Sequence, residues 1–235
     1  MTVEILFSEI AGLYGDAQNA KYLELCLPDA EFIYTDICSE PYFVNNTPDI
    51  IYIGTMSEET QRRVIEKFRP FKDRINELID GGTVIFATGN APEIFCEKID
   101  YITEKKEITG LCVFPLTVKN DLFKRYNGKV LGTSGDIKVV GFRSQFSFIY
   151  GDNSSYAFLQ MQRGVGINKE SKFEGMRKNN LFCTSCLGPF LPLNPLFTEY
   201  LISLTGTSAE AAFREEAMDA YKKRLSEFED PKVKF

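Results

Sequence analysis

The chain has 235 residues, 44% of them hydrophobic and 26% charged, with 27 Lys and Arg against 33 Asp and Glu for a formal net charge of −6. This is ordinary globular composition with ample material for a core, and cations scattered on an acidic chain form no stripe that would neutralise phosphates, so nucleic acid and anionic membranes are not expected partners. There is no histidine, which removes the residue that most often serves a serine or cysteine nucleophile as base and a metal as ligand.

The first sixteen residues lack a basic segment followed by a long apolar one, and no later run is long enough to span a bilayer. A cytoplasmic chain is expected. Val3 to Phe7 reads as a short strand, Asp16 to Leu27 as a helix, and Glu31 to Asp36 as a second strand. The continuous apolar run Ile50-Ile51-Tyr52-Ile53, closed by Gly54, fits a parallel strand buried on both faces. Glu58 to Ile79 carries apolar residues at helical spacing and is interrupted by Pro70, which predicts one kinked helix or two abutting ones. Gly81-Gly82 ends it, and Thr83 to Ala87 is the next buried strand.

Gly81 to Glu93 as a whole has the pattern strand, sharp turn, helix, with Thr88 at the turn, Asn90 and Glu93 in capping-box spacing, and Pro92 in the first helical turn. This is the build of a nucleophile elbow, in which the turn residue projects at a helix amino terminus able to bind an anion. Threonine is a poor occupant, because an internal hydroxyl needs a base and a β-branched residue tolerates positive φ badly. A purely structural turn is the more ordinary reading.

Beyond residue 110 the pattern changes to shorter strands, expected at Gly110 to Val118, Lys129 to Thr133, Lys138 to Phe142 and Phe146 to Tyr150, so the sheet should acquire an antiparallel portion. Cys183 and Cys186 have C-x-x-C spacing, but no second pair and no histidine completes a tetrahedral site. The six cysteines are expected to act mainly as small buried hydrophobes in a reducing compartment, with no metal. Ser208 to Phe228 reads as a helix with Ser208 as N-cap and an apolar stripe at Met218, Tyr221, Leu225 and Phe228, suited to packing on the chain's own domain. Strands alternating with helices imply crossover units, a mostly parallel sheet covered on both faces, and ligands at the carboxyl ends of the strands.

Several segments resemble one family, the class I glutamine amidotransferases of the CobB/CobQ-like type. Leu13-Tyr14-Gly15-Asp16 with Asn19 is similar to its L-Y-G-D-x-x-N signature, and Asp49 to Gly54 to the strand entering its glycine-rich oxyanion loop. Ala87 to Phe95 falls where the family has C-G-G-Y-Q, and Val140-Gly141-Phe142 resembles the start of G-F-E-N-H. Gly164 to Asn168, Glu174-Gly175 and Asn180 to Pro192 match the spacing of a closing block that ends in T-x-x-H-G-P. The resemblance implies a single α/β domain, a three-layer sandwich of flavodoxin-like type with a partly antiparallel extension, over residues 1–205, with residues 206–235 as a carboxy-terminal helix packed on it.

The resemblance also places changes at the catalytic positions. Thr88 stands at the family's cysteine and Leu187 at its histidine, while Gly89 and Gly188 keep the flanking backbone. The glycine-rich loop is reduced to Gly54-Thr55-Met56, and the E-N-H positions are Arg143, Ser144 and Gln145. Cys186, next to Leu187, should face away from a pocket that Leu187 faces.

The leading expectation is a catalytically degenerate subunit, a pseudoenzyme that binds or regulates a Mur-ligase-like synthetase in a peptidoglycan (cell wall) or cobalamin-type amidation system, with no cofactor. A second reading keeps an amidotransferase or hydrolase that works through a non-standard site with an Asp or Glu base. A third is a sensor for a small carboxylate or other anion. Candidate ligand residues are Gly54, Thr55, Thr88, Gly89, Asn90, Arg143 and Gln145; Arg143 is either an anion partner or, as lone arginines more often are, a solvated surface charge.

Overall fold

Short apolar runs build the middle of the molecule, a computed structural model that describes all 235 residues. In chain order, β1 (Thr2–Leu6), α1 (Ala17–Cys26), β2 (Glu31–Thr35), β3 (Ile50–Ile53), α2 (Glu58–Phe68), α3 (Lys72–Asp80) and β4 (Val84–Thr88) alternate as the sequence predicts. Pro70 lies in a 3-10 turn, Arg69–Phe71, so the long amphipathic stretch is two helices rather than one bent one. Ser57 caps α2 by accepting the Thr60 amide at 3.2 Å.

The second half is richer in strands than its sequence pattern suggests. It contains β5 (Cys96–Tyr101), β6 (Lys106–Thr109), β7 (Phe114–Asn120), β8 (Tyr126–Ser134), β9 (Ile137–Gln145), β10 (Ser147–Tyr150), β11 (Leu159–Arg163), β12 (Phe173–Glu174), β13 (Met176–Lys178) and β14 (Leu181–Thr184). Three helices complete the chain: α4 (Phe190–Leu193), α5 (Pro195–Ser203) and α6 (Arg214–Glu229).

A six-stranded sheet runs β13-β14-β4-β3-β1-β2, parallel except for the antiparallel edge strand β13. The antiparallel portion is mostly separate from it. It forms two four-stranded sheets, β10-β7-β5-β6 and β12-β11-β8-β9, the first with one parallel pair.

Period-two alternation divides the core between two faces of the central sheet. Val3, Ile5, Ile50, Tyr52, Phe86 and Phe182 pack toward α1, α4 and α5, whereas Leu6, Ile51, Ile53, Ile85 and Leu181 pack toward α2 and α3. The result is three layers: helices, sheet, helices. Burying each such side chain contributes roughly 1.5–3 kcal/mol. No helix is long and apolar enough to cross a membrane.

The tail departs from its predicted start. The last helix begins at Arg214 after Phe213, which is in the left-handed region at φ 51°, and Ser208 caps nothing. The reason is tertiary: the Ala211 amide donates to Glu199 Oε1 at 3.1 Å and the Tyr22 hydroxyl to Ala212 O at 2.7 Å, so this segment's backbone is committed to α5 and α1. In α6, Tyr221 and Phe228 are buried with Leu131 and Val140, and the Tyr221 hydroxyl donates to Lys138 O at 2.8 Å.

Candidate functional site

In open parallel sheets, ligands bind outside the carboxyl ends of the strands where the strand order reverses. That place holds a cleft of about 120 Å³. Its walls come from the chain after β1 (Leu13, Tyr14), after β3 (Thr55 to Glu58), after β4 (Gly89, Asn90) and after β14 (Ser185, Leu187), with Ser144 to Ser147 joining from the end of β9 and the start of β10.

Of the residues singled out in the sequence, Thr55, Gly89, Asn90 and Gln145 meet here, facing Leu187. Thr88 does not reach the cleft. It is fully buried, and its hydroxyl points under the floor, donating to Asp16 Oδ2 at 2.8 Å and lying 3.0 Å from the Tyr52 hydroxyl. Gly54 also lies below, where a side chain would strike Ala11 O. The backbone strain expected at Thr88 is carried instead by Gly89, at φ 64°. A Cβ on Gly89 would overlap the Thr55 hydroxyl, so this glycine lets the two loops close over Thr88.

Beneath the floor, Asp16 is the hub. Its Oδ2 accepts the Thr55 amide at 2.6 Å as well as the Thr55 and Thr88 hydroxyls. Asn19 Nδ2 donates to the Tyr52 hydroxyl at 2.9 Å, and that hydroxyl donates to Asp16 O at 3.0 Å. Burial pushes the Asp16 carboxyl above its ordinary range, against the hydrogen bonds from Thr55, Thr88 and the Gly188 amide, which lower it. Thr88 and Asp16 thus form a hydroxyl–carboxylate pair with the chemistry of a nucleophile and base. Both side chains are sealed from solvent, and no reacting carbonyl can approach the oxygen.

The predicted elbow helix is absent. Ala91–Phe95 is a 3-10 turn that leads straight into β5, and Asn90 caps nothing; its side chain accepts the Met56 amide at 3.0 Å and donates to Met56 O at 2.9 Å. Clamping the β3 and β4 loops together is its role. Glu93, predicted to cap, is buried with its carboxylate accepting from Gln61 Nε2 at 2.9 Å and from the Ser147 hydroxyl.

Burial pushes Glu93 up from 4.5 to about 7, with the bonds from Ser147 and Gln61 pulling it down. A carboxyl whose pKa is raised on folding contributes stability fully present below its unfolded pKa and lost as pH rises through the folded one. Stability should therefore fall between pH 4.5 and about 7, by about 3 kcal/mol from this group. Glu93→Gln is expected to flatten that slope, measured as urea midpoints at about pH 5 and about pH 8. An unchanged slope in the variant would show that Glu93 is not the group titrating.

Arg143 lies neither on the surface nor in the lining of the cleft. It is fully buried on β9, donates to Val165 O, and has its guanidinium 5.3 Å from the Tyr126 ring centre, with Nε and Nη1 unpaired. Its charge lowers the carboxyl of buried Glu174, which desolvation raises by more. Glu174 in turn accepts the Ser185 amide at 2.8 Å and the Thr184 hydroxyl at 3.0 Å, shaping the strand end that presents Leu187. Arg143 is alternate to Phe142, which is exposed on the opposite face of the strand.

Leu187 lines the cleft with hydrocarbon, while Cys186 packs into the core on the α1 side, its thiol raised by burial. Cys183 and Cys186 are free and buried on opposite faces of the sheet. Asp16, Asn19, Tyr52, Glu93 and Glu174 were not among the candidates. A signal existed for Tyr52: a phenol inside an aliphatic run that reads as buried on both faces must find a hydrogen-bond partner.

The chain is 25% identical over 203 residues to the lipid II isoglutaminyl synthase (glutamine-hydrolyzing) subunit GatD of Staphylococcus aureus (strain N315), covering 84% of this chain and 78% of that one. Among solved structures it is similar to PurLQS from Thermotoga maritima, with a TM-score of 0.54 at 10% identity over 95% of this chain and 98% of that one. A glutamine amidotransferase structure gives 0.55 at 12% identity over 87% and 99%. No protein-family model matches. The strand order β2-β1-β3-β4-β14 is that of flavodoxin-like folds, as in these structures.

Proposed function

We propose that this chain, class I glutamine amidotransferase-like in sequence and fold, acts as a subunit that does not itself hydrolyse glutamine and that holds a Mur-ligase-like synthetase in its working shape. The observation that carries this reading is what the cleft offers at two positions. At Thr88, which the motif resemblance sets in the nucleophile's place, the hydroxyl is turned under the floor onto Asp16, and Leu187, which it sets in the base's place, offers only hydrocarbon. No imidazole exists anywhere in the chain to replace the base.

The matched Staphylococcus aureus protein is, by its name, a subunit of a glutamine-hydrolyzing synthase, which supports a synthetase as the partner class here. In such a pair the amide nitrogen would come from free ammonia, which attacks the acyl carbon of a carboxylate activated on the synthetase, displaces the activating group and loses a proton, while the present chain supplies binding surface and not chemistry.

The test is co-expression with a Mur-ligase-like synthetase from the same organism, then size-exclusion chromatography and an amidation assay. A stable complex that uses ammonium but not glutamine is the expected result, with no glutamate released by this chain alone. Glutamate release by the native chain would overturn the reading, as would failure to form any complex. Thr88→Cys with Leu187→His is expected to recover little activity, because the thiol would inherit a sealed site beside the Asp16 carboxylate, and a like charge opposes thiolate formation.

A further inference from the structure

A second, larger cleft of about 640 Å³ lies on the sheet β10-β7-β5-β6. Alternation along β10 sets Ser147 and Ile149 into the core and turns Phe148 and Tyr150 outward. Lys119 of β7 pairs with Phe148 in the register and brings its ammonium 5.0 Å from the Tyr150 ring centre. The opposite wall is Arg125 and Tyr126 at the entry to β8. The Tyr126 ring sits 5.5 Å from Phe148, and Arg125 is anchored through Nε to the Ser144 hydroxyl at 2.8 Å.

The third wall is the turn at Asn168 to Glu170, and it is pinned. Asn168 is buried, donates to Ile149 O at 2.7 Å and accepts the amides of Glu170 and Ser171 at 2.9 and 3.1 Å. This turn is therefore preformed and requires no ordering on binding.

Its charge runs against that of the chain. Four cations, Lys119, Lys124, Arg125 and Lys169, line it with two anions, Asp121 and Glu170. Lys124 pairs with Asp121 at 3.0 Å, whereas Lys119, Arg125 and Lys169 have no carboxylate within ion-pair distance. Lys119 and Arg125 instead lie over aromatic faces, Arg125 at 5.7 Å from the Phe146 ring centre. On a chain of net charge −6, three unpaired cations around aromatic rings in one concavity match a ligand that is both anionic and flat.

We infer that this cleft binds a small phosphorylated aromatic ligand of the nucleoside diphosphate class, its ring system against Phe148 and Tyr150 and its phosphates on Lys119, Arg125 and Lys169. The volume lies within the range of small-molecule sites. A nucleic acid is the weaker match on a chain of net charge −6 whose 27 cations are mixed with 33 Asp and Glu.

Isothermal titration calorimetry of the full chain tests the assignment with ADP, UDP, adenosine, pyrophosphate and a short single-stranded oligonucleotide as probes. ADP or UDP should bind saturably. Adenosine and pyrophosphate should each bind at least roughly tenfold more weakly, because each keeps only one of the two kinds of contact. Lys119→Ala with Lys169→Ala, and separately Tyr150→Ala, should each weaken the diphosphate by roughly tenfold. These side chains are on the surface, and an unchanged melting curve checks that the fold is intact. No saturation by either diphosphate at about 5 mM, weaker than any useful affinity, would overturn the proposal. So would pyrophosphate or adenosine binding as tightly as ADP, or the oligonucleotide binding more tightly. Glutamine hydrolysis is not read in this experiment, so its outcome is independent of the function proposed for the other cleft.

Discussion

Asp16→Ala is expected to destabilise the fold by about 3–5 kcal/mol, lowering the thermal midpoint by roughly 10 °C. The carboxylate is the acceptor for the Thr55 amide and for the Thr55 and Thr88 hydroxyls, all of them buried. Removing it leaves those donors facing a void, and each unsatisfied group costs about 1–3 kcal/mol. Asp16→Asn is the informative control. An amide oxygen in the place of Oδ2 can keep three bonds and removes a charge whose burial is unfavourable, but it turns an NH2 toward the Asn19 Nδ2 that Oδ1 accepts at 3.4 Å, so its cost should be intermediate, about 2 kcal/mol. Urea denaturation of both variants measures the difference. If Asp16→Ala loses less than about 1 kcal/mol, the floor of the cleft is not held by this hub.

The other large effect concerns packing. Phe197→Ala is expected to cost about 3–5 kcal/mol. Phe197 is fully buried at the centre of an aromatic cluster, with its ring centre 5.1 Å from Phe158, 5.7 Å from both Phe182 and Phe190, and 5.9 Å from Phe86. These rings come from β4, β14, α4, α5 and the chain before β11, so the cavity would open where the helical layer meets the sheet. Aromatic contacts add about 0.5–1.5 kcal/mol per pair beyond area burial, which places this site at the upper end of the range. Phe197→Leu should recover more than half of the loss by refilling most of the volume. Equal losses for both variants, measured by urea denaturation, would mean that ring geometry and not volume sets the stability.

The central sheet was legible because its strands are short apolar runs between glycine, proline and polar breaks, and a buried parallel strand has no other way to look. The second half was less so. Asn90, Pro92 and Glu93 carry helix-start chemistry, yet the chain turns once and extends into β5, because Glu93 is drawn inward to Gln61 and Ser147 instead of turning back to a cap. Local propensity lost to a buried tertiary network. The cleft itself was partly legible: Thr55, Gly89, Asn90, Gln145 and Leu187 line it. Arg143 was misplaced because its side chain is taken by Val165 O and the Tyr126 ring, partners distant in sequence that no local pattern announces.

The position of β14 has a consequence for the order in which the molecule is made. Leu181 pairs with Ile85 and Thr184 with Thr88, while every strand between them in the chain belongs to another sheet or to the outer edge. A chain emerging from the ribosome must therefore hold β4 with one side unpaired until most of the sequence has been synthesised. Pairings of this sequence separation form slowly, and an open, apolar strand edge invites association with other chains meanwhile. The same strand delivers Leu187, so the cleft is among the last features to close. Nascent chains stalled before residue 181 would present an incomplete sheet to chaperones.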